Sequence, residues 1–161
     1  MGKVIVEPTI LYFAYGSNMD QKQMKKRCPG SKLYMCYKLK GYALDFTHNS
    51  ISWGGGVADV IKSSGSNVWG IIYKVTPQDL ENLDGYEGYS GKGSHNVYDR
   101  KVFRPTLEGK QVKVYLYIVQ AKRRKTITPS KRYMQGLIKG AIAAHLPLEY
   151  ISTLKQIPTV T

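Results

Sequence analysis

Ile10-Leu11-Tyr12-Phe13-Ala14-Tyr15-Gly16-Ser17-Asn18-Met19-Asp20 is an apolar, aromatic run of strand length that stops at a glycine and passes into residues favouring the start of a helix. Gly16 can take backbone angles closed to other residues, so the stretch reads as a buried strand, a sharp turn and a helix from about Asn18. Such a junction gathers several backbone N–H groups around one small space at the positive end of a helix dipole. That nest suits a carboxylate or a developing oxyanion, and the same residues equally describe an ordinary strand-to-helix connection.

Working outward, the helix runs to about Arg27 and is stopped by Cys28-Pro29-Gly30. Residues 32–40 and 42–49 read as two strands around Gly41, with Tyr42, Leu44 and Phe46 sharing a face of the second. Trp53-Gly54-Gly55-Gly56 is either a plain loop or a place where backbone passes close to a ligand. A short strand at 57–61, a turn at Ser63-Ser64-Gly65-Ser66 and an apolar strand at 68–75 follow. Thr76 as N-cap, Pro77 at the first helical position and Asp79 three residues after the cap predict a helix to about Asp84, ended by Gly85 in a left-handed cap. Glu87 then falls on the loop beyond it.

A polar loop at 90–96 reads as a mobile flap or a surface excursion. Strands at 98–105 and 112–119 are joined through Glu108-Gly109-Lys110. In the second of them Val112, Val114, Leu116 and Ile118 take one face, Tyr115 and Tyr117 the other. After Thr128-Pro129-Ser130 a helix runs through about His145, carrying Tyr133, Leu137 and Ala141 on one stripe, and Leu148, Ile151 and Leu154 mark a last amphipathic segment. Strands and helices in this order predict an α+β fold built on a mixed, largely antiparallel sheet.

The 161 residues fit one domain over 1–161, and 42% hydrophobic content is that of a globular chain rather than a disordered one. No stretch has the apolar length to cross a bilayer, and the N-terminal residues lack a signal peptide's core, so a cytoplasmic location without membrane attachment is expected. Cys28 and Cys36, separated by seven residues, and the scattered His48, His95 and His145 suggest neither a metal site nor a cofactor. The formal net charge of +13 fits solvated faces better than nucleic acid, because no nucleic-acid motif accompanies it, and it also favours the approach of a carboxylate-bearing substrate.

Tyr-Gly-Ser-Asn at 15–18, Val-Trp-Gly at 68–70, Leu-Asp-x-x-Glu-Gly at 83–88 and Leu-Pro-Leu-Glu-Tyr at 146–150 together resemble the gamma-glutamylcyclotransferase family, in order and over nearly the whole chain. The resemblance implies a sheet curled into a barrel with helices packed outside. It implies cyclisation of a small-molecule gamma-glutamyl compound by attack of its own α-amine on its γ-carbonyl, releasing 5-oxoproline, without metal or cofactor. Glu87 would be the catalytic acid/base; Tyr12, Phe13, Ala14, Tyr15, Gly16, Ser17, Asn18, Tyr98, Tyr117 and Tyr133 would bind substrate. The run between Glu87 and Tyr98 is longer than in eukaryotic members, and the chain stops soon after Ile157-Pro158, so the leaving amine or amino acid stays open. A homodimer is compatible with the sequence and not required by it. A non-catalytic binding module of the same fold, or a basic nucleic-acid binder, are the competing readings.

Overall fold

β1 (Ile10–Ala14) lies at the centre of a five-stranded sheet, where an unbroken apolar run belongs because both of its edges are paired. The computed structural model describes residues 2–3, 8–93 and 95–160. After β1 the chain makes a single 3-10 turn at Ser17–Met19, then α1 (Gln21–Arg27), β2 (Lys32–Ser50), β3 (Gly55–Val75) and α2 (Pro77–Glu87). β4 (Tyr98–Phe103), the small ribbon β5 (Thr106–Leu107) and β6 (Lys110–Gln111), β7 (Val114–Val119), α3 (Lys131–Ala143) and α4 (Leu148–Lys155) complete it. The strand order is β2-β3-β1-β7-β4, with β1 parallel to β7 and the other pairs antiparallel.

The fold is α+β with a mixed sheet, as expected, but the sheet is not closed into a barrel. β2 and β4 remain its edges among the described residues, because no ladder joins them. Closure on that side is left to side chains and to a short strap, whose Lys125 and Ile127 amides donate to the Thr47 and Phe46 carbonyls at 3.0 and 2.9 Å.

β2 and β3 are each one long strand where shorter pieces were expected. Gly41, at φ 81°, is a bulge within β2, and residues 63–66 stand opposite it between the pairs Lys40↔Asn67 and Tyr42↔Lys62. The expected turn at 63–66 is the other side of that irregularity. Bulges bend strands, and this hairpin must be bent. A side chain added at Gly70 would come within 2.3 Å of the Ala14 carbonyl, while one added at Gly16 would meet Ala58 at 3.1 Å. The residues from Ala58 to Gly70 would span about 40 Å if straight, yet their ends touch positions two residues apart. The hairpin therefore has a proximal arm paired to β1 and a distal arm folded back toward the Gly16 turn.

Two helix boundaries move. Asp20, not Asn18, caps α1, its carboxylate accepting from Lys22 N and Gln23 N. α2 begins as predicted, with Thr76 and Asp79 forming a reciprocal capping box, but runs through Gly85 and ends in a left-handed cap at Gly88, φ 66°. A glycine inside a helix costs about 1 kcal/mol, and Gly88 supplies the left-handed angle instead. Glu87 is consequently the last helical residue rather than a loop residue. No helix among the described residues is long and apolar enough to cross a membrane.

Candidate active site

A cavity of about 300 Å³ opens where β1 ends, walled by several separate pieces of chain. The first is the turn, with Tyr12, Tyr15, Gly16, Ser17 and Asn18. The Gly16 carbonyl accepts from Met19 N at 3.0 Å, and the Ser17 carbonyl from Asp20 N at 3.0 Å. Asn18 is held from every side: its amide donates to the Tyr12 hydroxyl at 3.1 Å, its Oδ1 accepts from Gln23 and Arg27, and its carbonyl accepts from the Tyr73 hydroxyl. The Tyr15 hydroxyl donates to the Tyr117 carbonyl, which ties the turn to β7.

The second wall is the C-terminal turn of α2, with Tyr86, Glu87 and Gly88. Asp84, one turn earlier, fixes its direction by accepting from the Tyr117 hydroxyl at 2.6 Å and from Arg100 Nη1 at 2.7 Å. Arg27 stacks its guanidinium 4.5 Å over the Tyr86 ring and also faces the cavity.

The distal arm provides the third wall, with His48, Ser50, Trp53, Val57 and Ala58. Tyr98 and Tyr133 complete the enclosure, and both hang from one residue of that arm. The Tyr98 hydroxyl donates to the Ala58 carbonyl at 2.8 Å, and the Ala58 N–H donates to the Tyr133 oxygen at 2.9 Å. With that N–H accepted, the phenol's own proton is left to be donated into the cavity. Trp53 packs edge-on against the same ring, 5.3 Å between centroids.

Glu87 is half-buried, and among the described residues it makes no hydrogen bond or ion pair. Removal from water pushes its carboxyl up to about 7, against a smaller pull downward from Arg27. Tyr98 and Tyr133 are held above the ordinary phenol range, first by burial, with the Glu87 charge adding to it. His48 is pushed down by burial and by Arg123, which favours its neutral imidazole. A neutral-range carboxyl ringed by phenols can accept a proton from one ligand atom and return it to another.

Of the residues proposed from sequence, Glu87, Tyr12, Tyr15, Gly16, Ser17, Asn18, Tyr98, Tyr117 and Tyr133 line this one cavity. Phe13 and Ala14 do not. Phe13 is fully buried against Tyr37 and Phe103, 5.9 Å from each, because strand alternation turns it away from the Tyr12 face, and Ala14 is buried in the β1–β3 ladder. The described residues of the 90–96 loop lie outside the lining. Asn96 ties the loop to itself, its amide donating to the Gly91 carbonyl and its Oδ1 accepting from Ser90 N.

Arg27, His48, Asp84 and Ala58 were not foreseen as parts of the site. Arg27 reads as one more cation on a basic helix, and only its place in the last turn, beside the chain stop at 28–30, hints otherwise. Both thiols are unsuited to nucleophilic work: Cys28 is fully buried and pushed up to about 12, while Cys36 donates to the Ala144 carbonyl at 3.0 Å. No group of three or more His, Cys, Asp or Glu side chains that could hold a metal occurs among the described residues.

The sequence profile of the AIG2-like family matches residues 67–154. Human gamma-glutamylcyclotransferase is 34% identical over 155 residues, covering 94% of this chain and 80% of its own. The bovine gamma-glutamylcyclotransferase is 33% identical over 153 residues, 92% of this chain and 79% of its own. A solved structure of a gamma-glutamyl cyclotransferase superposes with a TM-score of 0.85 at 30% identity, over 95% of this chain and 90% of that one.

Proposed function

We propose, because this chain belongs to the gamma-glutamylcyclotransferase family, that Glu87 is the proton carrier of the reaction for which its relatives are named. The chain is an enzyme of that class. Its substrate is a gamma-glutamyl compound, with an amino acid or an amine as leaving group. The substrate's α-nitrogen forms a bond to the γ-carbonyl carbon, the γ C–N bond breaks, and 5-oxoproline and a free amine depart. Protons lost by the α-nitrogen must reach the leaving nitrogen, and no side-chain nucleophile is needed.

Three tasks remain for the protein, and the cavity offers a group for each. Glu87 relays the protons. Its carboxyl titrates near neutrality because the walls keep water from it, so both protonation states are accessible at the working pH. The amides of Tyr15 and Gly16 and the donated hydroxyl of Tyr133 hold a substrate carboxylate or the carbonyl oxygen as charge builds on it. Tyr12, Tyr98 and Tyr117 shape the enclosure that folds amine onto carbonyl. The observation carrying this reading is that an unpartnered carboxylate at a helix end lines the same cavity as the Gly16 turn.

Glu87→Gln tests it directly. Release of 5-oxoproline from a panel of gamma-glutamyl dipeptides and amines, followed by mass spectrometry, is expected to fall by about three orders of magnitude. The melting temperature stays close to the parent's. Near-parental turnover by the variant removes Glu87 from the role. Saturable binding by the parent without any release across the panel replaces the enzyme with a binding module.

A further inference from the structure

Asp59 is fully buried in the distal arm, and every lone pair that matters is occupied. Its Oδ1 accepts from Val119 N at 3.0 Å, the last residue of β7, across 60 positions of sequence. Its Oδ2 accepts from the Thr47 hydroxyl at 2.8 Å and from Arg124 Nε at 2.8 Å. A buried carboxylate is retained only where its bonds are complete, and here those bonds run to three different segments. The distal arm has no backbone ladder to β1 or β7, so this carboxylate bridges the seam where the sheet stays open.

Ala58 is the next residue, and its two peptide groups are the anchors of Tyr98 and Tyr133. Moving Asp59 moves Ala58, and with it the two phenols that face Glu87. We infer that Asp59 is a positioning residue for the reaction: by clasping Val119 and Arg124 it sets the Ala58 backbone from which the Tyr98 and Tyr133 rings are hung. It touches no substrate and acts only through that backbone. Of the groups that hold substrate only the Tyr133 hydroxyl hangs from Ala58, while the Gly16 turn is held by other bonds, so loss of the clasp lowers kcat more than it changes KM.

The inference rests on the cyclotransferase reading for its kinetic half and on geometry alone for the other. Two variants make a graded pair. Asp59→Asn keeps an acceptor for Val119 and gives up the charge that Arg124 answers; Asp59→Ala gives up both. With folding checked by circular dichroism, kcat for 5-oxoproline release is expected to fall about 10-fold in the first and about 100-fold in the second, with KM within about 3-fold. Hydrogen exchange is read in the same proteins at the Ala58 amide. Its protection by Tyr133 is expected to drop in the same order. Parental kcat together with parental exchange at Ala58 in either folded variant overturns the inference, as does a fall in kcat with Ala58 exchange unchanged. If Asp59→Ala does not fold, Asp59→Asn decides alone. The exchange result stands even if Glu87→Gln proves active, so failure of the clasp and failure of the Glu87 reading are told apart.

Discussion

The two arms of the β2–β3 hairpin belong to one continuous ladder, yet they are fastened to the rest of the protein by different chemistry. The proximal arm pairs residue by residue with β1, from Ile71↔Ala14 to Val75↔Ile10, so backbone amides and carbonyls hold it. The distal arm is held by a buried carboxylate, by two tyrosine hydroxyls on Ala58, and by the strap at 125–128. The first kind of attachment makes the core; the second makes a cavity wall. A wall fastened by side chains and a short strap, outside the ladder to β1, can be set or displaced without unpairing that ladder, and the reacting groups lie against that wall.

Two glycines put this contrast to a test, the larger effect first. At Gly70, in the proximal arm, an added methyl would lie 2.3 Å from the Ala14 carbonyl and 2.7 Å from the Phe13 ring. Gly70→Ala is expected to cost about 3 kcal/mol or more, read as a fall in the midpoint of urea unfolding, with activity lost in proportion to folded protein. At Gly56, in the distal arm, the same methyl would lie 2.0 Å from the Ile127 carbonyl. Gly56→Ala is expected to push the strap away and lower kcat about 10-fold, while the unfolding midpoint falls less than in Gly70→Ala. If the two variants lose stability equally and activity equally, the arms are not attached differently.

A pH series sharpens the same contrast more gently. The distal arm helps keep Glu87 dry, and its carboxyl sits near 7 in the folded state, raised above its ordinary value. The base form is the one that accepts a proton, so kcat/KM is expected to rise through about pH 7 and then level. Stability moves the other way. A raised folded value means that the contribution is fully present below the unfolded carboxyl range and is lost as pH rises through about 7. The melting temperature of the parent is therefore expected to fall across that window relative to Glu87→Gln, whose amide does not titrate. Parallel melting curves for the two proteins across that window would mean that Glu87 is solvated and the wall leaky.

This difference in fastening also explains what could be read from the sequence. The strand at 10–14, the turn at Gly16 and the capping box at 76–79 were legible because their causes lie within a few residues of one another. The cavity's tyrosines and Glu87 came from the family resemblance, not from their own surroundings. The bent hairpin was read in pieces because Gly41 and residues 63–66 look like turns locally, and only tertiary contacts hold them in one ladder. Asp59 left no trace, and Asp84 and Arg27 showed only a place in the quoted motif and one beside a chain stop, since their partners stand 60, 33 and 9 positions away, at no periodic spacing. Phe13 was misplaced by counting a whole strand as binding residues when alternation sends it to the other face.

The reach of the Ala58 anchors also bears on the order in which the molecule assembles. The hairpin closes through neighbours on one stretch of chain, whereas β1 meets β7 only between Leu11 and Val114, far apart in sequence. The Tyr133 bond to Ala58 spans 75 positions and waits on α3, which follows all the strands. Contacts of long sequence separation are entropically late. A refolding chain should therefore regain the hairpin before it regains turnover, and on the ribosome the cavity can be completed only after Tyr133 has emerged.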